Sequence, residues 1–113
     1  MVFRILRSLL FVSCLAVVLS AWAGEAVWID VRTADEFASG HVAGAAHIPY
    51  QEIVDRIGEV TGDSDELIYV YCRSGRRSGI AQKALQDAGF SRVYNIGGLE
   101  DAQRKAEATA EAQ

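Results

Sequence analysis

The run Leu67-Ile68-Tyr69-Val70-Tyr71 constrains the fold of this chain more than any other feature of its sequence. It is continuously apolar and aromatic, with no polar alternation, so the strand it predicts must be covered on both faces, as in a parallel sheet between helices. A second run of this kind, Ala26-Val27-Trp28-Ile29-Asp30-Val31, predicts another buried strand, with a brief strand over 46–48 and a last one over 92–96. Helical signals fall between them. Thr33-Ala34-Asp35-Glu36 has the spacing of a capping box and opens a short helix through Phe37 that stops at Gly40. Ile53, Val54 and Ile57 share one face of a helix predicted over 51–60, with Glu52, Asp55, Arg56 and Glu59 facing water. A third helix is predicted from near Ser78, carrying Ile80, Ala81, Ala84, Leu85 and Ala88, with Gly89 just past its end. The alanine- and glutamate-rich tail from Leu99 favours helix, with a fraying end. Strands that alternate with helices predict an α/β sandwich, and right-handed crossovers leave few topologies open.

The chain has 113 residues, enough for one compact domain and too few for two. Its first two dozen have the layout of a secretory signal: Arg4 and Arg7, an apolar run over 9–19 interrupted by Ser13 and Cys14, and the small residues of Ala21-Trp22-Ala23. This predicts a signal peptide over 1–23, a domain over 24–113 with its core at about 26–101, and a periplasmic protein with no stable membrane association after cleavage. Two alternatives stay open. An uncleaved anchor is disfavoured because the apolar stretch over 8–23 falls short of the about 20 residues a span needs. A lipoprotein is disfavoured because the apolar run continues past Cys14.

Loss of Arg4 and Arg7 leaves 9 cations against 15 acids, a formal charge of −6 that argues against a nucleic-acid partner. Against that background, Arg73, Arg76 and Arg77 lie within five residues and suggest a small anion site. Cleavage also leaves Cys72 as a lone cysteine in an oxidising compartment: an intermolecular bridge, an inert buried residue or a reactive group. A strand end, a glycine-containing loop and a helix start place backbone amides and a helix dipole around it. Such a cradle lowers the pKa of a thiol from about 8.5 and activates it. A monomer is expected, with no cofactor. Asp30 with Arg32 reads as an ion pair or loop brace, and His41 and His47 as structural hydrogen bonders. A metal site from His41, His47 and Cys72 lacks any ligand pair of short spacing.

The loop Cys72-Arg73-Ser74-Gly75-Arg76-Arg77-Ser78 resembles the active-site loop of the rhodaneses. Asp30-Val31-Arg32, Glu36-Phe37, Gly40-His41-Val42-Ala43-Gly44-Ala45, Ile48-Pro49 and Asn95-Ile96-Gly97-Gly98-Leu99 follow that family's order, and the short start before Trp28 makes the chain most similar to periplasmic rhodaneses of the phage-shock-protein E type. The resemblance implies a rhodanese-like three-layer sandwich with about four parallel strands. It departs from the pattern in lacking a tryptophan after Gly97-Gly98 and the usual strand and helix ahead of Asp30.

For chemistry, the resemblance implies that the Cys72 thiolate takes the outer sulfur of thiosulfate and passes it from a persulfide to cyanide or a thiol acceptor. The loop amides from Arg73 through Ser74 and Gly75 to Arg77 would cradle that sulfur, with Arg76 and Arg77 holding the oxyanion by charge and planar hydrogen bonding. A cysteine phosphatase or arsenate reductase is the first rival. Its loop needs arginine six positions after the cysteine, where this chain has Ser78, while Arg77 stands at five. The second rival is a module that stores sulfur or binds a partner without turnover.

Overall fold

A computed structural model describes residues 25–112. The predicted signal peptide, its cleavage site and Cys14 lie outside them. Four strands form one parallel sheet in the order β2-β1-β3-β4, where β1 is Val27–Asp30, β2 Ala46–His47, β3 Ile68–Tyr71 and β4 Val93–Gly97. The helices are α1 (Ala34–Ser39), α2 (Ile53–Arg56), α3 (Arg76–Asp87) and α4 (Leu99–Ala112).

The continuous apolar run has its explanation in β3, which pairs with β1 on one side and β4 on the other. Ile68 and Val70 point to one face, into a core with Ile29, Val31, Ile53, Leu85 and Val93. Tyr71 points to the opposite face, into a second core with Val42 and Ala102 and the partly buried Trp28 and Leu99. With α2 and α3 over the first face and α4 over the second, every position of β3 meets protein, which gives the expected three-layer α/β sandwich.

Two local expectations are corrected. The helix over 51–60 breaks into a 3₁₀ turn (Tyr50–Glu52), the single turn of α2 and a second 3₁₀ turn (Ile57–Glu59). Ile53 and Ile57 are its buried anchors, Tyr50 and Val60 pack at its two ends, and Val54 is 45% exposed, so the apolar face is too narrow to hold a regular helix against the core. α3 starts at Arg76 rather than near Ser78, because Gly75 takes a φ of 100° and turns the chain directly into the helix. Ser78 is thereby carried inward while Ile80, expected on the apolar face, is exposed. The tail from Leu99 forms α4 as far as Ala112, with Ala102 buried and Ala106 packed against the second core.

The pairing of β3 with β4 slips by one residue at its end: Val70 faces Asn95 and Tyr71 faces Gly97. Such a bulge re-aims the chain where pairing stops. Here it sets the carbonyl of Gly97 3.0 Å from the amide nitrogen of Cys72, so the two loops that follow β3 and β4 stand side by side at the carboxyl edge of the sheet.

Candidate active site

Cys72 follows directly on β3 and has no accessible surface. Its Sγ accepts a hydrogen bond from the Gly75 amide at 3.0 Å and lies 3.3 Å from the Ser78 hydroxyl. Burial pushes the thiol pKa up, but the Ser78 hydroxyl and the amides of Ser78, Ser74 and Gly75 outweigh it and hold the group below its ordinary value. Short-range donors aimed at sulfur account for the shift, ahead of the three nearby arginines.

Those arginines part company. Arg77 makes a bidentate ion pair with Glu36 of α1, at 2.7 and 3.0 Å, which commits its guanidinium. Arg76 lines a shallow groove along α3 with Gly79, Ile80 and Lys83. Arg73 alone of the three lines a cleft of about 460 Å³ bordered by Arg32, Glu36, Leu99, Glu100 and Asp101. Successive residues at the start of a helix point about 100° apart, so Arg76 and Arg77, both expected to hold the oxyanion, meet different neighbours here.

Arg77 in turn lowers the pKa of Glu36 from 4.5 to about 2, with lesser help from Thr33, whose capping box with Glu36 is formed as the sequence indicated. Because the folded-state carboxyl is the more acidic, this pair contributes stability above about pH 4.5 that is lost as pH falls toward 2. Urea unfolding across that range is expected to show a steeper acid loss for the wild type than for Glu36→Gln, and parallel curves would refute it.

Asp30 and Arg32 form the buried brace anticipated from sequence. Arg32 Nε donates to Asp30 Oδ1 at 3.0 Å, its terminal nitrogen to Oδ2 at 2.7 Å and to the Gly40 carbonyl at 2.6 Å. Tyr71 joins from below, accepting from the Val42 amide at 3.0 Å; burial, reinforced by Asp30, pushes its phenol up to about 12. His41 stacks on Phe37 and its Nδ1 donates to the Phe37 carbonyl at 2.8 Å, while His47 Nε2 donates to the Arg32 carbonyl at 2.8 Å. Both imidazoles thus hold backbone.

The Gly97-Gly98 turn buttresses the cysteine loop from behind. A Cβ on Gly98 would sit 2.5 Å from the carbonyl oxygen of Arg73, so only glycine allows the two backbones this close. Gly98→Ala is expected to cost about 1–3 kcal/mol in denaturant unfolding, as overpacking does, and to displace the loop. A variant as stable as the wild type would show that the contact is dispensable.

Ser78 and Asn95 were not singled out as site residues from the sequence. Ser78 Oγ lies 2.7 Å from Asn95 Oδ1, and Asn95 Nδ2 donates to the Gly75 carbonyl at 2.8 Å. The position of Ser78 one turn into a helix that follows the cysteine was the available signal; for Asn95 there was none beyond its place before the glycine pair.

A parallel sheet with a cysteine at the carboxyl end of a central strand, cradled by the start of the next helix, is the architecture of a rhodanese-like domain. Residues 17–105 match the rhodanese-like domain family, and the chain belongs to it. It is 42% identical over 74 residues to the thiosulfate sulfurtransferase PspE of Escherichia coli (strain K12), covering 66% of this chain and 71% of that protein. A sulfurtransferase of Allochromatium vinosum is 36% identical over 74 residues, 66% of this chain and 67% of the relative. Among solved structures, a rhodanese with anions from E. coli superposes with a TM-score of 0.66 at 40% identity, over 68% of this chain and 91% of that one.

Proposed function

We propose that this protein is a thiosulfate sulfurtransferase that carries sulfane sulfur on Cys72. The observation that carries the reading is the Cys72 sulfur itself, held at a strand end by the Gly75 amide and Ser78, with its pKa below that of an ordinary thiol. The Cys72 thiolate attacks the outer sulfur of thiosulfate. A bond from Sγ to that sulfur forms, the S–S bond of the donor breaks, and sulfite leaves with the bonding pair. Cyanide or a thiolate then takes the outer sulfur and returns Cys72 to its thiolate.

The amides of Ser74 and Gly75 hold the charged sulfur, and Arg73, on the cleft, meets the oxyanion of the donor. Arg77 acts at one remove by fixing α1 to α3 through Glu36, and Arg76 stays outside. Ser78 occupies the place where a phosphatase needs its arginine, and Arg77, one position earlier, is already paired. Both facts favour sulfur over phosphorus.

Mass spectrometry after thiosulfate treatment is expected to show one added sulfur atom on the peptide containing Cys72, removed by cyanide as thiocyanate. An unmodified peptide would overturn the assignment, and a loaded peptide that cyanide cannot discharge would favour a sulfur store. The signal-like segment over 1–23 supports action in the periplasm, which fractionation with N-terminal sequencing of the mature chain tests.

A further inference from the structure

Ser78 carries one hydroxyl proton and stands between two acceptors: the Cys72 sulfur at 3.3 Å and Asn95 Oδ1 at 2.7 Å. Its side chain has no accessible surface, so water cannot serve as an alternative partner. The orientation of the Asn95 amide follows from its neighbours. Nδ2 faces the Gly75 carbonyl at 2.8 Å, and Oδ1 faces the Gly97 amide at 3.0 Å; a flipped amide would set donor against donor and acceptor against acceptor.

We propose that Asn95 is a positioning residue that competes with the Cys72 sulfur for the single hydroxyl proton of Ser78, and so sets how readily that sulfur carries charge. When Cys72 is a thiol, its S–H donates to Ser78 Oγ and Ser78 donates to Asn95. When the sulfur is a thiolate, the stronger acceptor, the hydroxyl turns to it and Asn95 Oδ1 keeps only the Gly97 amide. In the persulfide the charge moves to the outer sulfur, the inner one becomes a poor acceptor, and Ser78 returns to Asn95. The hydroxyl thus follows the charge on Sγ through the cycle, and Asn95 keeps it satisfied whenever Sγ is neutral. The charged groups around the loop are Arg77 on α3, held by Glu36; Arg73 in the loop; Asp30 with Arg32 behind β1; and Asp101 on α4. None of them is hydrogen-bonded to Ser78 or Asn95 among the described residues.

The inference rests on Cys72 being the reacting group of the proposed function, and iodoacetamide alkylation across pH tests it without turnover. The plateau at high pH reports access to the sulfur, and the midpoint reports its charge. Asn95→Ala is expected to lower the midpoint: one pH unit below the wild-type midpoint, its rate relative to its own plateau rises about threefold, while Ser78→Ala lowers that ratio about tenfold. In the double variant the Asn95 effect disappears, because Ser78 transmits it. Asn95→Ser, too short to reach Ser78 or Gly75, follows the alanine variant and serves in its place should that variant not fold. A midpoint that rises or stays put without Asn95, or one that shifts equally with and without Ser78, overturns the proposal. Absence of a persulfide after thiosulfate would end the sulfur-transfer reading and with it the persulfide step, while the competition between thiol and thiolate is judged by the alkylation midpoints alone.

Discussion

Replacing Cys72 by serine is expected to reduce thiosulfate-to-cyanide sulfur transfer by about a thousandfold or more, because the serine hydroxyl is not ionised near neutral pH and cannot form the persulfide. The loss should be one of chemistry alone. Serine is nearly isosteric, and its oxygen inherits the Gly75 amide that Sγ accepts at 3.0 Å and the nearby Ser78 hydroxyl, so the loop keeps its partners. Thiocyanate formation measures the activity, and thermal unfolding shows whether the variant keeps its fold. A folded variant with wild-type turnover would remove Cys72 from the mechanism. The companion expectation is graded: Ser78→Ala should slow transfer near neutral pH and recover as pH rises, since it takes a donor from the thiolate without removing the nucleophile.

The second large effect is on stability. Asp30→Ala is expected to cost about 3–5 kcal/mol, because it leaves the Arg32 guanidinium buried without its counter-charge. The pair itself need not be stabilising relative to apolar residues of similar shape; the cost comes from breaking it one-sidedly. Asp30 also accepts from the Arg32 amide at 2.9 Å, and Arg32 reaches the Gly40 carbonyl, so the backbone from β1 to the loop before β2 depends on the same two side chains. Urea unfolding of Asp30→Ala beside a double variant with both residues made apolar tests the argument. If the single variant loses less than the double, the pair is not the brace described here.

Most of the secondary structure was legible in short windows. The unbroken run over 67–71 announced a strand covered on both faces, and the Thr33 to Glu36 spacing announced a helix start that formed with both reciprocal hydrogen bonds. The helix over 51–60 was misread because periodicity says which residues could share a face but not how many of them the core has room for. Val54 had the right spacing and ended in solvent.

The sequence by itself determined the order of strands and helices, the family, and Cys72 as the candidate nucleophile, because each depends on residues close together along the chain. Local spacing is enough to set a period, cap a helix or place a cysteine before a glycine turn. Only the tertiary structure decided how the site is wired. Glu36 claims Arg77 from 41 residues away, Asn95 meets Ser78 from 17 away, and Gly98 touches Arg73 because α1, β4 and the start of α4 converge on one edge of the sheet. Which partner each of several adjacent arginines meets is settled by the neighbours that packing brings to it. In a parallel sheet those neighbours arrive through long crossovers, so no local pattern encodes them.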